Sequence, residues 1–266
     1  MIYKDWSSEI GCTLERITGI ESNFYREYFE YVKEIYKPEK ILFISEEQFL
    51  LPVVVTTTGV AYVLGDIDLL HSGSLLKQKI SGLEAYGFEV IDNARQEYVI
   101  QLQDSFNANL KSLERVGRCY SKCSKFTSNI YNDIVLKDEH EGFYDKYLEY
   151  WKNRGEITPS FSIFRGCLLQ MSHLSKTYTI EINHNDTLLA LGYFIVYDGE
   201  LRWYETLRTL DESYSKYSVG NYILLVAMRD ICYKFGYNLN LGVSWFDYKK
   251  HWHPVLKDIR GISIIG

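Results

Sequence analysis

The apolar positions along this chain change their spacing several times, and each change predicts an element. Residues 22–37 (SNFYREYFEYVKEIYK) put Phe24, Tyr28, Tyr31, Val32 and Ile35 on one helical stripe, with Ser22 to cap it and Pro38 to stop it. Three β-type runs follow, at 41–45, 49–56 and 59–65, and predict an antiparallel meander. Pro52 makes the middle run irregular or an edge strand, because proline cannot donate to a ladder. A helix is expected over 74–86, strands at 88–92 and 98–102, and a long helix at about 105–125. A strand at 129–136 and helices near 140–154 and 162–174 complete the middle of the chain.

The remainder has the most regular pattern. The run 177–183 turns at Asn185-Asp186 into 187–197, which turns at Asp198-Gly199 into 201–207; Asx and Gly at those points are what tight hairpins require. A loop at 208–219 leads to GNYILLVAMRDICYKFG, a helix apolar nearly all round that Gly236 can end, and then to a strand at 238–242. That last strand must run parallel to the one before the helix. The pattern therefore predicts an α+β chain with a mixed, mostly antiparallel sheet and flanking helices. No Pro/Gly linker cuts the chain, so two halves, 1–104 and 105–266, are expected to meet at the helix near 105–125.

Composition narrows the picture only a little. With 266 residues, 46% of them hydrophobic, the chain is long enough to bury a sizeable core. A net charge of −6 excludes coating of nucleic acid by an overall field, although a local basic groove remains compatible with it. MIYKDWSSEIGCTLERITG lacks the apolar stretch and cleavage site of a signal peptide, and the longest apolar run, 49–56, is too short to span a bilayer. Five cysteines without a CxxC read as reduced thiols, so a cytoplasmic protein that does not enter the membrane is expected.

Four stretches carry candidate chemistry. Ser218, Val219, Gly220 and Asn221 begin the apolar helix, where unpaired N–H groups and the helix dipole suit phosphates; the same residues also serve as a plain cap and turn. Lys111, Arg115, Arg118, Lys122 and Lys125 recur at steps of four and three, a stripe that can hold a pyrophosphate, a nucleotide-sugar or RNA, or form a solvated face. Strict alternation puts Glu205 on the face of Leu201, Trp203 and Leu207, with Arg202 and Tyr204 opposite. A carboxylate among apolar groups is either a general base with a raised pKa or a structural acid paired to an arginine. Finally, LNLGVSWFDYKKHWHP (239–254) holds two histidines two positions apart. On a helix these diverge by about 200°, so no metal site is expected there, and Trp245, Tyr248 and Trp252 read as the apolar side of a short helix.

The order of meander, strand, loop with Gly220, buried helix, strand and Tyr248-Lys249 resembles the GNAT acyltransferase superfamily. The chain looks most like its FemAB-like branch, in which two GNAT-like halves are fused. The stretches EYVIQLQDSFNANLKSLERVGRCYSKCSKF, VLKDEHEGFYDKYLEYWKNRG and SVGNYILLVAMRDICYKFGYNLNLGVSWFDYKKHW carry the likeness. It departs from the superfamily at the acyl-CoA loop, where one glycine, Gly220, stands in place of a glycine-rich motif.

The resemblance implies transfer of an acyl group from acyl-CoA to an amine of a small molecule, amino sugar or peptide. It implies Glu205 as base, Tyr204 as acid for the leaving group and Lys249 against developing negative charge. Ser218–Asn221 would receive donor phosphates, and Arg115, Arg118 and Lys122 would bind substrate. An aminoacyl-tRNA donor and a catalytically silent GNAT-like module are the competing implications.

Overall fold

A computed structural model describes residues 2–3, 7–18, 22–37, 39–46, 49–55, 60–63, 88–156, 158–242 and 247–264. The chain divides into two compact units that do not follow chain order. Met1–Gln96, Ser162–His173 and Asp258–Gly266 form one, and Glu97–Phe161 with Leu174–Lys257 form the other.

In the first unit, β1 (Ile2–Tyr3), β2 (Lys40–Glu46), β3 (Phe49–Val55) and β4 (Val60–Val63) pair in that order, antiparallel throughout. This is the expected meander, but β3 is an inner strand and not an edge. Pro52 is accommodated because it opposes Phe43 on β2, whereas β4 meets only Val53, Val54 and Val55 among the described pairs. Helices α1 (Ser8–Thr18) and α2 (Ser22–Tyr36) accompany the meander, with Ile10 and Phe29 buried. The spacing predicted α2; α1 was not expected, since Gly11 interrupts its short apolar face. The helix expected over 74–86 lies outside the described residues.

The two strands expected at 88–92 and 98–102 are one, β5 (Phe88–Ile100). The long helix expected near 105–125 is two, α3 (Phe106–Ser112) and α4 (Glu114–Lys122), hinged at the buried Leu113 with φ −88° and ψ 11°. Close approach dictates the break: a Cβ on Gly117 would stand 2.4 Å from the Leu110 carbonyl oxygen. β6 (Thr127–Tyr131) ends earlier than its apolar pattern, because the Val135 N–H donates to Thr179 Oγ1 at 2.9 Å instead of continuing a ladder. Helices α5 (Asp138–Lys152) and α6 (Phe161–Leu174) follow, most of α6 belonging to the first unit.

Strands β7 (Thr177–His184), β8 (Thr187–Tyr197) and β9 (Glu200–Arg208) form the predicted hairpins. Positive φ values at Asn185 (49°), Asp186 (62°), Asp198 (51°) and Gly199 (74°) match the tight turns that these residue types favour. The apolar helix is α7 (Val219–Ala227), extended by a π-turn at Met228–Cys232 and a last turn at Tyr233–Phe235. β10 (Asn238–Asn240) then lies parallel to β9, as the crossover required, and β11 (Val255–Ile264) closes the chain.

The order in the second unit is β5-β10-β9-β8-β7-β6. α7 packs on one face, where a Cβ on Gly192 would meet Ile223 and Phe194 side chains at 2.9 Å. α5 covers the other face, bringing His140 Nδ1 to 3.5 Å from the Tyr193 hydroxyl.

Candidate active site

The site begins where the β9–β10 ladder stops. Asn238, Leu239 and Asn240 pair with Glu200, Leu201 and Arg202, and no further pair is formed among the described residues. Past that point the chain stays with β5 and leaves β9. The Leu241 N–H donates to the Tyr98 carbonyl at 2.8 Å, the Tyr98 N–H donates to the Gly242 carbonyl at 3.1 Å, and Gly242 turns with φ 75°. Trp203–Arg208 of β9 therefore have no ladder partner on that side among the described residues.

A buried charge network pins the closed side of this fork. Arg202 makes a two-pronged pair with Glu97 at 2.6 and 2.7 Å. Asn240 Nδ2 donates to Glu97 at 2.9 Å and to Glu200 at 2.6 Å, and Lys257 donates to Glu200 at 2.8 Å. Glu97, Glu200, Arg202 and Asn240 are all buried.

The open side carries a β-bulge. Tyr193 opposes Glu205 but Phe194 opposes Trp203, so Tyr204 is the extra residue. Cross-strand partners share a face. Glu205 therefore lies with Arg202 and Leu207 on the α5 side, while Leu201, Trp203, Thr206 and Arg208 lie on the α7 side. The expectation from strict alternation, Glu205 beside Leu201 and Trp203 with Arg202 opposite, is corrected by this one-residue slip. Glu205 accepts the Thr206 N–H at 2.9 Å. Its charge also reaches Tyr147 of α5 and Tyr248: both hydroxyls titrate higher than a free tyrosine, first from burial and next from Glu205.

Lys249 sits at the mouth of the fork on a 3₁₀ turn, Asp247–Trp252, the short helix that the spacing predicted. Trp245 lies outside the described residues. Lys249 is 1% exposed, and its Nζ donates to the Leu241 carbonyl at 2.6 Å. It lies 5.2 Å from the Tyr98 ring centre and 5.4 Å from that of Trp203. Burial pushes its pKa down to about 8. Trp252 is fully buried and donates its indole N–H to Asn221 Oδ1 at 3.2 Å, tying this turn to the start of α7.

At that start Ser218 is left-handed (φ 52°), and its side chain caps nothing. Its carbonyl accepts the Asn221 and Tyr222 N–H groups at 2.9 and 3.1 Å. A Cβ on Gly220 would meet only Arg208 Cδ, at 3.8 Å. Arg208, which sequence reasoning missed, thus stands beside the helix start. It also lines a pocket of about 540 Å³ with Phe143, Tyr147, Tyr150, Leu188 and Leu210.

No family model matches the chain. No curated protein matches it either. Solved structures do. FemX superposes with a TM-score of 0.54 at 8% identity, over 99% of this chain and 97% of its own. L-PGS from Bacillus licheniformis gives 0.51 at 10%, over 91% of each chain. The C-terminal domain of a protein from Agrobacterium fabrum assigned as a lysylphosphatidylglycerol synthetase gives 0.51 at 10%, over 97% and 92%. The chain shares the fold of these three structures.

Within this fold, the basic stripe is divided. Lys111 belongs to α3 and the other four to or just after α4, so they do not form the single row that the sequence implied. Arg115 NH1 stands 3.0 Å from His251 Nε2, bracing the turn that carries Lys249. Arg118 and Lys122 are exposed. Lys125 donates to the Tyr217 hydroxyl at 2.9 Å and holds its pKa below the usual range, just ahead of the α7 start.

One group of metal-type ligands occurs among the described residues, Glu139, His140 and Glu181, with ligand atoms within 4.8 Å of one another. The Lys137 ammonium lies 2.5 Å from Glu181 Oε1, where a cation would sit, and His140 Nε2 lies 2.9 Å from the same oxygen. Tyr131 donates to the other oxygen at 3.0 Å, and these hydrogen bonds hold the buried Glu181 carboxyl below its ordinary pKa despite burial, the largest opposing effect. No helix among the described residues is long and apolar enough to cross a membrane.

Proposed function

We propose that the protein is an N-acyltransferase that moves an acyl group from acyl-CoA to the amine of a small molecule, an amino sugar or a peptide. One observation carries this reading: β9 parts from β10 after Arg202, and the released segment holds Glu205 on one face with Lys249 at its mouth. The donor arm lies along the released edge, its phosphates at the N–H groups of Val219 and Gly220 within Ser218–Asn221, with Arg208 beside them. Glu205 takes the proton of the incoming ammonium, directly or through water. Lys249 and a backbone N–H of β9 balance the charge that grows on the carbonyl oxygen. Tyr204, displaced by the bulge, protonates the leaving thiolate.

The acceptor enters from the α5 side, through the pocket lined by Tyr147 and Arg208, Tyr147 being near enough to Glu205 to feel its charge. The absence of disulfides among the described residues supports a reducing compartment such as the cytoplasm.

A second donor, aminoacyl-tRNA, is favoured by the exposed Arg118 and Lys122 and by the likeness to FemX and L-PGS. Purified protein incubated with radiolabelled acetyl-CoA or with charged tRNA, against a panel of amines, separates the readings. Label transferred from acetyl-CoA supports the first, and label transferred only from tRNA supports the second. Binding without transfer, unchanged by Glu205→Gln or Lys249→Met, would leave a silent GNAT-like module.

A further inference from the structure

Trp203 is the first residue of β9 beyond the ladder, and its indole nitrogen is buried without a hydrogen-bond partner among the described residues. Thr206 Oγ1, on the same face and just past the bulge, is likewise buried without one. An indole N–H can only donate, so the group that completes Trp203 must be an acceptor. Packing alone does not call for that N–H. The ring stacks edge-on against Tyr248 (centres 6.2 Å apart) and lies beneath Lys249, contacts that phenylalanine would also make. What tryptophan adds is a donor next to an ammonium, on a strand edge with no paired strand among the described residues.

We propose that Trp203 Nε1–H donates to the carbonyl oxygen of the transferred acyl group, beside Lys249, and so selects donors that carry a carbonyl at that position. The proposal rests on the acyl-transfer reading above and adds a catalytic residue to it. As the amine nitrogen bonds to the carbonyl carbon, the C=O π pair moves onto oxygen, held by Trp203 and Lys249. The pair returns as the carbon–sulfur bond breaks. The ammonium gives one proton to Glu205, which releases it to solvent before attack. The second nitrogen proton then passes to Glu205, Tyr204 protonates the thiolate, and the proton on Glu205 returns to Tyr204 through water, so one proton leaves to solvent and the site ends as it began. A pre-placed donor of this kind is preorganised, needing no rearrangement during the reaction.

The test uses full-length protein labelled with ¹⁵N-tryptophan, the Trp203 indole resonance assigned by its loss in Trp203→Phe. Acetyl-CoA and S-ethyl-CoA, which differ only in the carbonyl, are titrated separately. A downfield shift of the Trp203 indole proton with acetyl-CoA, absent or reversed with ethyl-CoA, is the expected result. If both bind, moving other resonances, while the Trp203 proton stays still or moves equally, the proposal is overturned and the acyl-transfer reading stands. If neither moves any resonance, the acyl-CoA reading fails and takes the proposal with it. Trp203→Phe should melt no lower than wild type yet lose about 10²-fold in kcat with KM little changed. Unaltered kcat would contradict the assignment, and the titration of the wild type decides should the variant fold poorly.

Discussion

Two parts of one strand, three residues before the fork and four beyond it, handle polar groups in different ways. Glu200–Arg202 of β9 lie in the ladder, and their charges are met by Glu97, Asn240 and Lys257 at hydrogen-bonding distance. Trp203–Thr206 lie beyond it, with two polar atoms buried and unsatisfied and a lysine held against aromatic rings. In the closed half every charge has an opposite partner, with Arg202 Nε alone left over, and the network fixes position; in the open half nothing among the described residues meets Trp203 Nε1 or Thr206 Oγ1, which can receive a ligand. The contrast assigns stability to the closed half and chemistry to the open half, and variants on each side should separate the two.

The largest effect belongs to the closed half. Glu97→Ala strands the buried Arg202 and should cost about 3–5 kcal/mol in urea unfolding, whereas Glu97→Met with Arg202→Met should recover most of that loss. Equal losses in the single and double variants would erase the distinction between the halves.

Next comes Lys249. It titrates near 8 in the folded chain against 10.5 for an ordinary lysine. Between those values only the unfolded chain holds the extra proton, so stability rises with pH across that window, by up to about 3 kcal/mol, and is insensitive to this group below it. Lys249→Met should lack the rise, as unfolding curves at about pH 7.5 and about pH 10.5, at the two ends of the window, would record. Because the proposed role is that of a cation, transfer by the wild type should fall as pH climbs through about 8. A rise in activity there would make Lys249 a base instead.

Glu205→Gln should lower kcat/KM by about 10²-fold while leaving the melting temperature near that of wild type, reversing the pattern of Glu97→Ala. The smallest effect is Gly220→Ala. Its new methyl meets only the Arg208 side chain at 3.8 Å, so stability should change by less than about 1 kcal/mol.

Much of the fold was legible from local pattern. Asn185-Asp186 and Asp198-Gly199 announced their hairpins because left-handed turns restrict residue choice, and the apolar run at 219–235 announced a buried crossover helix that forces β10 parallel to β9. Interruptions were not legible. The break at Leu113 depends on Gly117 lying against the Leu110 carbonyl, and the bulge at Tyr204 depends on the register of β8, both decided by packing. That bulge reversed the face assigned to Glu205. Lys249 was reached through resemblance. Trp203 and Arg208 were missed because an indole and a guanidinium become informative only when their unsatisfied or adjacent partners are known.

The central claim, that the open half of β9 and the start of α7 receive an acyl-CoA, is tested most directly by calorimetric titration of acetyl-CoA into wild type and Gly220→Glu. A carboxylate at the helix start should repel the donor phosphates. Wild type should bind at micromolar concentrations, and Gly220→Glu should not bind despite melting normally. Equal binding by both, or none by the wild type, would contradict the claim.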